Sequence, residues 1–125
     1  MRTILLIMKR KSVAQGLMLK LRDVPELELA YEEDYMCAAA SINVHGADVA
    51  LIEVAESGEY GISYCLELCA RLKEATPGCK VLLMCPEQDR NSVVAVVRAK
   101  LEGGIDDFVF YDTSVDYLAS KLSSM

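Results

Sequence analysis

The chain has 125 residues, 53% of them apolar, and its 13 basic and 19 acidic side chains leave a formal net charge of −6. That length and apolar content suit one domain spanning residues 1–125 with a single sizeable core, and they exclude a disordered chain. The acidic balance disfavours direct nucleic-acid binding, since the one basic cluster, Lys9-Arg10-Lys11, is short, and no apolar run approaches the ~20 residues of a membrane span.

Thr3–Met8 (TILLIM) is a continuous apolar run, as expected of a strand buried on both faces. Its apolar part is too short for a secretory signal and no small-residue cleavage site follows, so the expected location is cytoplasmic. Ser12 is placed to cap a helix carrying Val13, Leu17 and Leu21 at spacing four, and Pro25 ends that region. Leu27, Leu29 and Tyr31 alternate as a second strand. Glu32-Glu33-Asp34 puts negative charge at the start of the next helix, where it suits the helix dipole, and Met36, Ala39, Ala40 and Ile42 continue it to Gly46. Val49–Val54 is a third strand, followed by a loop punctuated by Gly58 and Gly61. A long helix places Ile62, Leu66, Cys69 and Leu72 on one face and stops at Thr76-Pro77-Gly78. Val81–Cys85 is the fourth strand. Asp89 to Leu101 reads as a helix held by tertiary packing, because Val93, Val94, Val96 and Val97 are poor helix formers. Gly103-Gly104 ends it, Phe108–Tyr111 is a fifth strand, and Thr113 or Ser114 caps a last helix with Val115, Leu118 and Leu122 inward.

Five strands alternating with five helices predict an α/β fold: a three-layer αβα sandwich around a five-stranded parallel sheet. The expected strand order is 2-1-3-4-5, the flavodoxin-like arrangement, in which ligands sit at the carboxyl ends of the strands near the switch point. Met8 and Lys9 follow strand 1, Glu53 ends strand 3, Cys85 ends strand 4 and Tyr111 ends strand 5. Lys9, Glu53 and Cys85 are expected to meet in one shallow pocket.

The five cysteines are odd in number and form no CxxC, so they read as reduced thiols. Cys65 and Cys69 share a helix face, but a metal site needs two further ligands and His45 is the only histidine; small apolar core fillers is the favoured reading. His45 is expected in a loop at the opposite end of the sheet. Asp106-Asp107 reads as a solvated turn before strand 5. No GxxxxGK[ST] phosphate loop is present.

The ordered set ILLIM, ADVALIEV and GGIDDFVFY, with Gly58 and Gly61 spaced after Glu53, resembles a response-regulator receiver domain along essentially the whole chain. The resemblance implies a phosphoacceptor site built from five positions, and all five are altered here. The two Mg²⁺-holding acids fall on Met8 and Lys9, the acceptor aspartate on Glu53, the Ser or Thr after strand 4 on Cys85, and the lysine after strand 5 on Tyr111. Asp112 stands where a proline usually follows. Mg²⁺ prefers hard oxygens, which Met8 and Lys9 do not supply. Glu53 is one methylene longer than aspartate, which displaces an attacking oxygen, and the cation that would stabilise transferred charge is missing. The expectation is a degenerate, pseudo-receiver domain with no metal and no cofactor.

Two readings of Glu53 follow. Either Glu53 pairs with the Lys9 ammonium in the vacant metal site, or it mimics a phosphorylated aspartate; the first is favoured, since a half-buried carboxylate needs a partner. Cys85 reads as a Thr-sized replacement in preference to a reactive thiol. Phe108 falls on the family's rotating switch aromatic and is expected to be a fixed ring. The functional expectation is a non-enzymatic signalling module that meets a protein partner, or a second copy in a homodimer, through the face of helix 4, strand 5 and helix 5. Alternatives are a phosphorylatable receiver with unusual chemistry and a small-molecule-binding flavodoxin-like domain.

Overall fold

The computed structural model describes all 125 residues. Its elements run β1 (Arg2–Ile7), α1 (Lys11–Leu21), β2 (Leu27–Glu32), a 3₁₀ turn (Tyr35–Cys37), α2 (Ala38–His45), β3 (Val49–Glu53), α3 (Ile62–Ala75), β4 (Lys80–Cys85), α4 (Arg90–Glu102), β5 (Asp107–Phe110) and α5 (Val115–Ser124). The strands form one parallel sheet in the order β2-β1-β3-β4-β5, as expected from the alternation. No helix is long and apolar enough to cross a membrane.

Successive strand residues point to opposite faces, and both faces are covered, which is why the strands read as unbroken apolar runs. Leu5, Ile7, Ala50, Ile52 and Leu83 pack with α2, α3 and α4. Ile4, Leu6, Met8, Leu51 and Leu82 pack with α1 and α5 through Ala14, Leu21, Leu118 and Leu122. The buried stripe of α3 is Cys65, Leu68, Cys69 and Leu72, so it is turned slightly from the face expected through Ile62 and Leu66, which are only half-buried.

Helix ends follow local chemistry, with one departure. Asp89 caps α4 by accepting from the Asn91 and Ser92 N–H groups, and Ser114 caps α5 by accepting from Tyr117 N–H. Gly46 and Gly103 close α2 and α4 in the left-handed region, at φ of 61° and 80°. Ser12, however, does not cap α1: the helix begins at Lys11, and Arg10 stands at the N-cap without a side-chain cap. The acids before the second helix cap a 3₁₀ turn, where Asp34 accepts from Met36 N–H at 2.9 Å. That turn carries Met36 outward, 83% exposed, instead of onto the apolar face of α2.

Asp106, just before β5, and Asp107, its first residue, are not a solvated turn. Asp106 accepts from Val81 N–H at 2.8 Å and from the Lys73 ammonium at 3.3 Å. Asp107 bridges Lys100 of α4, at 2.9 Å, and Lys121 of α5. Both are half-buried, and both tie the last strand to its neighbours.

Candidate functional site

Glu53 is the last residue of β3 and is 1% exposed. An isolated carboxylate at that depth is costly, so its surroundings must supply donors. They come from the chain leaving β1. One carboxylate oxygen accepts from Lys9 N–H at 3.0 Å and Arg10 N–H at 3.1 Å. The other accepts from Arg10 Nε–H in a close ion pair. No buried side-chain nitrogen or oxygen in the molecule lacks a partner.

Glu53 therefore has a cation, but the cation is not Lys9. The expected Lys9–Glu53 ion pair is absent; the Lys9 ammonium turns outward and lies 5.6 Å from the centre of the Tyr60 ring. Two physical reasons favour Arg10. The backbone N–H groups of Lys9 and Arg10 fill one carboxylate oxygen as the chain turns into α1, leaving the other to the next side chain. A planar guanidinium is also less strongly hydrated than an ammonium and suits a carboxylate in a desolvated site. The same two N–H bonds explain why α1 starts without Ser12 as its cap: the chain just before the helix is already anchored by Glu53.

Tyrosine hydroxyls close the rest of this end of the sheet. Tyr35 donates to the Glu53 carbonyl at 2.6 Å, Tyr31 donates to the Met8 carbonyl at 3.0 Å, and Tyr111 donates to the Val54 carbonyl. Burial first, then neighbouring Cys65 and Glu53, push the Tyr35 hydroxyl far above its ordinary value. Burial and then Glu53 do the same for Tyr111. Both hydroxyls stay protonated donors. The Arg10 guanidinium also lies 4.8 Å from the Tyr111 ring centre, so one cation contacts both Glu53 and Tyr111. Tyr35 stacks on Tyr60 at 4.3 Å, and Tyr60 meets Tyr64 edge-on at 5.0 Å.

Lys9, Arg10, Glu53, Glu56, Ser57 and Tyr111 line a shallow cleft of about 310 Å³ at the strand ends. Of the five positions expected there, Lys9, Glu53 and Tyr111 line it. Met8 does not: its side chain is fully buried against α1 and α5. Cys85 does not either, which corrects the expectation that it meets Lys9 and Glu53. It is buried on the opposite face of the sheet, and burial, then Cys69, push its thiol up to about 12. A thiol that far above neutral pH is a poor nucleophile. Phe108 lies away from the cleft on β5, half-buried, edge-on to Phe110 at 5.6 Å.

The Glu53 carboxylate is thus already engaged on both oxygens. No group of three or more His, Cys, Asp or Glu side chains is placed to hold a metal ion. Glu56 is the only other acid in the cleft, and Arg10 already occupies the carboxylate. Arg10 and Tyr35 were not singled out in the sequence. Arg10 was visible only as the middle of a basic run, and nothing in the spacing marked Tyr35.

No family model and no curated protein sequence matches this chain. Solved structures do. A response regulator from Thermotoga maritima superposes with a TM-score of 0.77 at 18% identity, over 99% of this chain and 98% of that one. An orphan response regulator of H. pylori gives 0.74 at 17% identity, over 98% and 94%. A CheY-like protein from Pseudomonas aeruginosa gives 0.73 at 18% identity, over 100% and 95%. With agreement along nearly the full length of both partners, the fold of this chain is the receiver-domain fold of response regulators.

Proposed function

We propose that this chain is a receiver-like signalling module whose acid site is closed by its own side chains, and that it works through protein contacts without aspartyl phosphorylation. The observation that carries this reading is the Glu53 carboxylate. One oxygen accepts two backbone N–H groups and the other pairs with Arg10. These three bonds take most of the carboxylate's acceptor sites and hold it against Arg10, so attack on an incoming phosphoryl group would first have to break the ion pair. Arg10 supplies the positive charge at a place where a divalent ion would otherwise be needed, and Tyr111 contributes no cation for transferred charge. On this reading Glu53 is a structural acid, the chain is not an enzyme, and it requires no cofactor.

The contact surface we assign is the face of α4, β5 and α5. Val94, Val97 and Leu101 form an exposed apolar stripe along α4, and Tyr117 is exposed on α5. The Lys100–Asp107–Lys121 bridge holds these elements together beneath it. A protein partner or a second copy of this chain fits such a face; an acidic chain with a short basic run does not suit nucleic acid.

The test is titration of the protein with beryllofluoride and Mg²⁺, followed by amide NMR, with acetyl phosphate and intact mass as a second readout. The expected result is no saturable shift at Lys9, Arg10, Glu53 or Val54 and no mass gain. A saturable shift centred on Glu53, or addition of one phosphoryl group lost on Glu53→Gln, overturns the reading.

A further inference from the structure

From Tyr35 to Ala47 the sequence YMCAAASINVHGA holds no Asp, Glu, Lys or Arg, in a chain in which 26% of residues are charged. That run forms the 3₁₀ turn and α2, the end helix of the layer it shares with α3 and α4. Every other helix exposes a charged side chain, such as Lys20 on α1, Glu67 on α3, Arg98 on α4 and Asp116 on α5. On α2, Ala38 and Ile42 pack into the core, and the outer side presents Met36, Ala40 and Val44. Met36 is 83% exposed and Val44 81%. A helix apolar on all sides is normally buried on all sides. The outer side of α2 therefore suits a cover that brings no charge to it.

Met36, Ala40 and Val44 recur every four residues, so they stand in one row, large-small-large. A two-fold axis through Ala40 turns this row onto itself. Met36 of each copy then packs on Val44 of the other, and Ala40 meets Ala40 where the two helices come closest. The same operation sets Cys37 opposite Asn43. It also brings the exposed Glu33 and Asp34 carboxylates of one copy to the exposed His45 imidazole at the far end of the other helix, acceptors against an N–H donor. Along the row itself no charge meets its own image.

We propose that a second copy of this chain covers α2, in a two-fold dimer with the α2 helices antiparallel. The contact leaves the α4, β5 and α5 face open to a different protein. The 3₁₀ turn that presents Met36 also carries Tyr35, whose hydroxyl holds the Glu53 carbonyl, so the dimer contact lies close to the closed acid site. The beryllofluoride titration reads the acid cleft and self-association reads this helix, so each claim can fail alone.

The test is sedimentation velocity of the full chain from about 10 µM to 1 mM. Concentration-dependent dimerisation is expected, with a Kd between about 1 µM and 1 mM, as fits a contact built on one helix pair. Ala40→Glu sets two carboxylates face to face on the axis and is expected to weaken association by about tenfold or more. Val97→Glu, on the exposed side of α4, is expected to leave it unchanged. Both positions are exposed, so each variant should unfold at the temperature of the wild-type monomer. In a Cys37→Ser background, Ala40→Cys is expected to give a disulfide-linked dimer under mild oxidation, and Val94→Cys is not. A chain that stays monomeric at about 1 mM overturns the proposal. So does association that survives Ala40→Glu, association lost in Val97→Glu instead, or the absence of a cross-link through Ala40→Cys.

Discussion

Two acids, Glu53 and Asp107, each hold together one end of a strand, and they do so under different physical conditions. The Glu53 side chain is 2% exposed, and its partners are two backbone N–H groups and one guanidinium. The Asp107 side chain is 19% exposed, and it accepts from two lysine ammonium groups, of α4 and α5, and from the adjacent Phe108 N–H at 2.8 Å, which does not reach another element. Backbone donors cannot swing away, so the Glu53 contact fixes the path of the chain between β1 and α1. Lysines are flexible and hydrated, so the Asp107 contact is adjustable and more sensitive to salt. On the function proposed above, the rigid acid lies at the closed site and the softer one beneath the proposed contact face.

Substitutions can break this comparison, and the largest effect is expected at Glu53. Glu53→Ala removes the acceptor for Lys9 and Arg10 N–H and leaves the guanidinium unpaired. A loss of ~2–4 kcal/mol in chemical denaturation is expected; Glu53→Gln keeps part of the bonding and should cost ~1–3 kcal/mol. Tyr35→Phe removes the buried donor to the Glu53 carbonyl, with an expected cost of ~1–2 kcal/mol and altered amide shifts at Glu53 and Val54. Equal stability of Glu53→Ala and wild type would show that the acid is not structurally engaged.

The Asp107 end should respond less in stability and more to pH. Burial works to raise the Asp107 carboxyl, but hydrogen bonds from Lys121 and Lys100 outweigh it and hold the group below the ordinary carboxylate range. A group depressed in the folded state contributes stability that is complete above its unfolded value, about 4, and is lost as pH falls through the folded value. Asp107→Asn should therefore flatten the acid limb of the stability curve. At neutral pH it should cost ~1 kcal/mol or less, and raising the salt should shrink that cost. An unchanged acid limb would remove Asp107 from this role.

The sheet, its order and the three-layer arrangement were legible because apolar periodicity and turn residues report burial directly; which helices share a face was not. The cleft at the strand ends was legible for Lys9, Glu53 and Tyr111 because position in a parallel sheet places residues there whatever their chemistry. What could not be read was direction. Lys9 and Arg10 are adjacent and both basic, and which one meets Glu53 depends on how the backbone turns into α1. Met8 and Cys85 occupy strand-end positions, yet the pleat sends them to opposite cores. Met36 was misplaced for a similar reason: a 3₁₀ turn instead of an α-helical one rotates it to the surface. Asp106 and Asp107 read as a turn because their lysine partners come from distant helices, which no local pattern marks.

The most direct test of the closed site is a double-mutant cycle between Arg10 and Glu53, measured by denaturant unfolding of Arg10→Ala, Glu53→Gln and the double variant. Arg10 is half exposed, so solvent discounts the pair, and a coupling of ~1–2 kcal/mol is expected. Additive effects, with a coupling within ~0.3 kcal/mol of zero, would contradict the claim that Arg10 and Glu53 close this site together.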